Sequence, residues 1–266
     1  MFSASDTWTA LQRVRKARPL VHSIVNHVTM NTVANGLLAL GASPVMARTA
    51  EEVADVVAIA AALVVNIGTP SPASAAAMKI AADRAAALGV PWVLDPVGAG
   101  AVAFRTDLAL DLCRRSPTAI RGNGSEIMAL AGGNVTREKG VDSAHGADEA
   151  LAAARALAAR CGAVVAVTGA VDHVTDGTRV VSIRNGDPMM ARVTGVGCVG
   201  SALAAAFLAA GGLAPLDAVA AALLVLGVAG EAAAEDSPGP GTLNWRLMDA
   251  LYCLDGDMLA ARTRIG

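Results

Sequence analysis

Amide, carboxylate and glycine residues recur in this sequence directly after short apolar runs, and chemistry is to be sought there. Asn26 follows the run Leu20-Val-His-Ser-Ile24, and Asn66-Ile-Gly68-Thr69 closes the run that begins at Leu63. Asp95-Pro-Val-Gly98 ends Pro91-Trp-Val-Leu, and Arg121-Gly-Asn123-Gly-Ser-Glu126 follows Ile120. Thr168-Gly169 follows Ala163-Val-Val-Ala-Val167, and Thr194-Gly-Val-Gly-Cys198 opens a long alanine-rich stretch. One such cluster is an ordinary turn; a whole series in order describes a single site assembled from many strand ends.

The last cluster carries the most chemistry. Glycines let a backbone approach a ligand closely, and the unpaired N–H groups at the start of the following helix bind anions. In a phosphoryl transfer, such amides around Gly195 and Gly197 hold the γ-phosphate as charge spreads over its oxygens. Cys198 stands at that helix start, where the helix dipole is expected to lower its pKa and suit it to take a proton from an attacking alcohol. The same segment also reads as a tight loop feeding a buried helix, with Cys198 a small core residue. Asp95 and Glu126 are the acidic candidates for Mg²⁺, which takes oxygen ligands and bridges phosphate oxygens; a turn former before Pro96 and a first-turn helix residue are the plainer readings. Arg121 is placed to contact a phosphate, with a surface ion pair as its alternative. His22, His27, His145 and His173 lack ligand spacing and read as structural or exposed. No Gly-x-x-x-x-Gly-Lys-Ser/Thr occurs, and the only Gly-x-Gly-x-x-Gly, at Gly195, Gly197 and Gly200, lies late in the chain without a following strand or ribose-binding carboxylate.

The elements that position these residues alternate. Strand patterns at 20–24, 43–46, 63–67, 91–95, near Ile120 and at 163–167 are separated by helical patterns. Among the latter, Thr49-Ala-Glu-Glu52 reads as a capping box, Ser71-Pro72 as a cap with an N1 proline, and Leu243–Ala261 as one terminal helix. Asp176-Gly177 marks a hairpin between Asp172 and Arg184. The expected fold class is α/β: a mainly parallel central sheet with helices on both faces, residues 1–266 forming a single domain, and ligands beyond the carboxyl ends of the strands. Composition agrees, since 54% of residues are hydrophobic but only 3% aromatic, which asks for closely packed helices. The net charge of −2, without a basic stripe, argues against nucleic acid. The four cysteines have no Cys-x-x-Cys spacing, so a reducing, cytoplasmic setting is expected. Charge-free Val193–Leu216 is long enough to span a bilayer, yet its glycines and alanines read as a loop and a short buried helix, and no membrane span is expected.

Read together, His22-Ser-Ile-Val-Asn26, the block Asn35-Gly-Leu-Leu-Ala-Leu-Gly-Ala-Ser-Pro-Val-Met46, Val65-Asn-Ile-Gly68, Leu94-Asp-Pro-Val-Gly98, Ile120-Arg-Gly-Asn-Gly-Ser-Glu126, Val167-Thr-Gly169 and Val193-Thr-Gly-Val-Gly-Cys198 resemble the hydroxyethylthiazole kinase family. The resemblance implies a ribokinase-like fold, a homotrimer with sites between neighbouring subunits, and ATP-dependent phosphorylation of 4-methyl-5-(2-hydroxyethyl)thiazole in thiamine salvage. It implies that Asn26, Val28, Met46 and Gly195 line the thiazole site. Arg121 and Thr168 would contact ATP beside Gly197, Asp95 and Glu126 would serve Mg²⁺ and phosphate, and Cys198 would occupy the base position. Val196 stands where the family usually has Thr or Ser, and Cys198-Val-Gly-Ser201 replaces a bulkier Cys-Met-Leu-Ser, the glycine loosening the helix start by about 1 kcal/mol. A kinase of another heterocyclic alcohol, an ATP-linked lyase of the same superfamily and a non-catalytic binding relative remain alternatives.

Overall fold

The computed structural model describes the backbone of residues 2–132 and 144–266, and the side chains of 2–132 and 146–266; the reading of His145 therefore lies outside the described residues. The elements run α1 (Ala4–Ala17), β1 (Leu20–Ile24), α2 (Met30–Leu40), β2 (Ser43–Val45), α3 (Val53–Ile59), β3 (Ala62–Asn66), α4 (Pro72–Leu88) and β4 (Trp92–Asp95). Then follow α5 (Ala103–Cys113), β5 (Ala119–Asn123), α6 (Gly124–Ala131), α7 (Ala144–Cys161), β6 (Val164–Thr168) and the hairpin β7 (Asp172–Thr175) and β8 (Val180–Ile183). A 3-10 turn (Pro188–Arg192) leads to α8 (Val196–Ala210), α9 (Pro215–Glu235), α10 (Pro240–Cys253) and α11 (Gly256–Arg262).

These strands form one eight-stranded sheet in the order β2-β1-β3-β4-β5-β6-β7-β8. Pairing is parallel from β2 through β6 and antiparallel for β7 and β8. The parallel strands bury both faces, which is why they read as continuous apolar runs. In β3, Ala62 and Val64 enter one hydrophobic core while Leu63 and Val65 enter the other. The first core is closed by residues of α1, α2, α8, α9 and α10, the second by residues of α3 to α7. Among the described residues, α9 is long and apolar enough to cross a membrane, and 83% of its apolar window is buried inside the protein.

Local chemistry explains most element ends. Ser71 caps α4 through a reciprocal pair with Ser74, Pro72 follows, and Gly89 ends the helix at φ +67°. Two expectations need correction. Only half of the box at Thr49 forms: Glu52 Oε1 accepts the N–H groups of Arg48 and Thr49 at 2.9 and 3.1 Å, but residues 50–52 stay a turn and α3 begins at Val53. The single terminal helix is two, because Asp255 accepts the Met258 N–H at 2.8 Å and caps a fresh start at Gly256.

One close approach sets the spacing of α2 and α8. A Cβ added to Gly36 of α2 would lie 2.9 Å from Val199 Cγ1 of α8. Alanine gains up to about 1 kcal/mol of helix propensity over glycine, but overpacking costs about 1–3 kcal/mol. Gly36→Ala is therefore expected to destabilise, and a double-mutant cycle with Val199→Ala should recover part of the loss. Additive effects in urea unfolding would show that the two helices do not depend on this contact.

Candidate active site

Because β1 and β3 to β6 are parallel, their carboxyl ends share one edge of the sheet, and a cavity of about 450 Å³ opens there. Asn26, Val28, Asp95, Arg121, Glu126, Thr168, Gly195, Gly197 and Cys198 all line it. Met46 does not; it packs, partly buried, against the core on the α8 side. His22 is buried with Nε2 2.9 Å from the Ala47 carbonyl, His27 lies against Arg48, and His173 pairs with Ser182.

A buried polar chain forms the cavity floor. Asp95, at the end of β4, is 1% exposed. Asn66 Nδ2 donates to Asp95 Oδ2 at 2.6 Å and lies 3.2 Å from Cys198 Sγ. Asn66 Oδ1 accepts from Asn26 Nδ2 at 3.0 Å and from the Gly68 N–H at 2.9 Å. Asn26 Oδ1 in turn accepts the N–H groups of Val28 and Thr29, both at 3.1 Å. Gly68 has to be glycine here, since a Cβ would meet Asn26 Nδ2 at 2.8 Å. Asn66 was visible in sequence only as part of a cluster; its place as the joint between Asp95, Asn26 and Cys198 follows from the register of β1, β3 and β4.

Burial pushes the Asp95 carboxyl up, with the Arg121 charge and the Asn66 bond opposing. The Cys198 thiol is also pushed up, first by burial and then by the Asp95 charge, while the Asn66 bond and the Arg121 charge oppose. This corrects the expectation that the helix dipole lowers it. Glu126 caps α6: its Oε2 accepts the Asn123 N–H and its Oε1 the Gly98 N–H, each at 2.9 Å. Its carboxyl is raised by burial, with those two bonds opposing. The plainer reading of Glu126 as a first-turn residue thus holds together with its place in the cavity wall.

The start of α8 faces the same space. Gly195 caps the helix at φ +91°, and Val199 N–H donates to the Gly195 carbonyl at 2.9 Å. The N–H groups of Val196, Gly197 and Cys198 therefore precede the first intrahelical bond and have no carbonyl partner within α8. A Cβ on Gly197 would sit 2.8 Å from Arg121 Nη1, so glycine is what lets the guanidinium lie over the helix start. Arg121 makes no salt bridge among the described residues, and its Nε is buried without a partner. The surface ion pair considered for it is absent from that set. Val196 turns into the core, 7% exposed, and does not line the cavity. Gly200 packs beneath Arg121, where a Cβ would be 3.1 Å from Leu226 Cδ2 of α9 and 3.7 Å from Arg121 Nε.

The sequence profile of the hydroxyethylthiazole kinase family matches residues 11–257. The chain belongs to the hydroxyethylthiazole kinase family. A hydroxyethylthiazole kinase of Syntrophus aciditrophicus is 49% identical over 261 residues, covering 98% of this chain and 96% of the relative. One from Granulibacter bethesdensis is 52% identical over 254 residues, covering 96% and 92%. The structure of the hydroxyethylthiazole kinase protein from Pyrococcus horikoshii superposes with a TM-score of 0.91 at 42% identity, covering 98% of each chain. An ADP complex of Bacillus subtilis pyridoxal kinase shares the fold, with a TM-score of 0.60 at 18% identity, covering 79% and 90%. The architecture is ribokinase-like, as the family's motifs implied.

A raised thiol is a slow nucleophile at neutral pH, since the thiolate is the reactive form. Cys198 is expected to resist iodoacetamide at pH 7 while exposed Cys253 is alkylated, and to react appreciably only above the ordinary thiol range. Peptide mass spectrometry across pH reads this directly; equal rates at pH 7 would contradict it.

Proposed function

We propose that the chain transfers the γ-phosphoryl group of ATP to the hydroxyl of 4-methyl-5-(2-hydroxyethyl)thiazole, a salvage step in thiamine biosynthesis. The observation that carries this reading is the meeting of the open amides of α8, the Cys198 thiol and Arg121, which makes no salt bridge among the described residues, in one cavity. Relatives of this degree of identity named for the same reaction support the choice of acceptor.

The residues divide the work. Arg121, Thr168 and the amides at Gly197 and Cys198 take the terminal phosphates, where preorganised donors stabilise charge as it develops on the transferred group. Asn26, Val28 and Gly195 hold the acceptor. Met46 has that role through the family resemblance alone, since it does not line the cavity of a single chain. Asp95 and Glu126 would hold Mg²⁺. Both carboxylates line the cavity, and Mg²⁺ needs only one or two carboxylates beside waters and phosphates. When bound, the ion neutralises charge on the phosphate oxygens.

Cys198 keeps its proton at neutral pH, so it acts as a neutral hydrogen-bonding partner that orients the alcohol, whose proton passes late to an oxygen of the transferred phosphoryl group. A loose transition state tolerates this, because positioning matters more than a strong base. Val28 is 65% exposed on the cavity rim, as suits a site completed by a neighbouring subunit, and we read the assembly as a homotrimer of single-domain, cytoplasmic chains.

Purified protein with the thiazole alcohol, ATP and Mg²⁺ is expected to release ADP in a coupled assay, with hydroxymethylpyrimidine and pyridoxal as poorer acceptors. Cys198→Ala should lower kcat only in part, by about tenfold, the worth of one hydrogen bond, while Cys198→Asp retains activity. No ADP from the parent protein would defeat the assignment, and complete loss in both variants would show that Cys198 has another role.

A further inference from the structure

Asp172 belongs to none of the clusters read from the sequence, yet the sheet brings it to the same edge. It opens β7, and its Oδ1 accepts the Gly169 N–H at 3.0 Å, closing the turn that follows Thr168. Register fixes the side on which it lies. Arg121 of β5 stands beside Ala166 of β6, and Ala166 beside Val174 of β7. Laterally paired residues share a face, and so do residues two apart on a strand. Arg121, Thr168 and Asp172 therefore all lie on the α8 side, where Ala166 and Val174 enter that core.

The lateral order matters as well. Arg121 on β5 stands between Asp95 on β4 and Asp172 on β7. Asp95, Glu126 and Asp172 all feel its positive charge. With Asp95 and Glu126 alone, the guanidinium would be drawn toward the carboxylates of the cavity floor. Asp172 supplies the opposing pull from the far side, while Arg121 itself keeps its donors free of any salt bridge among the described residues.

We propose that Asp172 is a positioning residue of the nucleotide side: it holds the Thr168–Gly169 turn and balances the Arg121 guanidinium, so that both meet the terminal phosphates in a fixed place. This deepens the kinase reading and rests on it. The Asp172 carboxyl is pushed up to about 6 by burial, with the Gly169 bond and the Arg121 charge opposing.

Binding of a non-hydrolysable ATP analogue, measured by calorimetry on the intact chain without acceptor, tests this apart from the identity of the acceptor. Asp172→Ala loses both the turn bond and the charge, and is expected to weaken the analogue by about tenfold. Asp172→Asn keeps an acceptor for Gly169 and should lose about threefold. In turnover, the KM for ATP should rise in the same order while the KM for the thiazole alcohol stays put. Unchanged analogue affinity in Asp172→Ala overturns the proposal, as does a loss that falls equally on the acceptor. If Asp172→Ala does not fold, Asp172→Asn decides alone, and parental affinity in it is the overturning result. A parent that binds the analogue yet makes no ADP with the thiazole alcohol would remove the acceptor assignment, and the Asp172 comparison would still be read from binding.

Discussion

A carboxylate almost wholly withdrawn from water is the constraint on which the rest of this site depends. Asp95 is 1% exposed, and an isolated buried charge costs several kcal/mol unless neighbours compensate. The chain answers with a short bond from Asn66 and a nearby arginine charge. Asn66 then has a fixed orientation, because one amide nitrogen serves Asp95 and its oxygen accepts from Asn26 and Gly68. Asn26 in turn fixes the backbone at Val28 and Thr29. The mouth of the cavity is thus held by the same chain of bonds that satisfies its floor.

Burial, and after it the same carboxylate, sets the character of Cys198. A helix start favours a negative group by about 0.3–1 kcal/mol. Against that stand the desolvation of a buried thiolate and the repulsion of a carboxylate reached through the same Asn66 nitrogen. Burial and the Asp95 charge together outweigh the opposing hydrogen bond and the Arg121 charge. The larger effect wins, and the thiol stays protonated. The dipole of α8 is left to act on an anion that enters the cavity, and Arg121 lies over the same helix start.

Much of this was legible in the residues. Strands buried on both faces announced themselves as apolar runs, and the boundaries at Leu20–Ile24 and at Pro72–Leu88 followed from pattern and capping alone. Polar strand ends marked the cavity because parallel strands finish at one edge. What sequence spacing did not give was lateral information. Asp172 looked like the first residue of a hairpin, and only the register of β5, β6 and β7 places it on the face of Arg121. Met46, at a strand end, was expected in the site; it packs partly buried against the core and does not line the cavity of a single chain. The break at Leu254–Asp255 was hidden because the apolar pattern runs through it, and the Asp255 side chain sets the new start. The Val196 and Gly200 departures also changed meaning. Val196 faces the core, and Gly200 makes room between α8, α9 and Arg121.

The most direct measurement is a crystal structure of the protein soaked with a non-hydrolysable ATP analogue and Mg²⁺. The terminal phosphate should lie on the amides of Gly197 and Cys198, within hydrogen-bond reach of Arg121. A nucleotide found elsewhere, such as the second cavity beside Cys161 and Pro215 at the opposite edge of the sheet, with the start of α8 left empty, would contradict it.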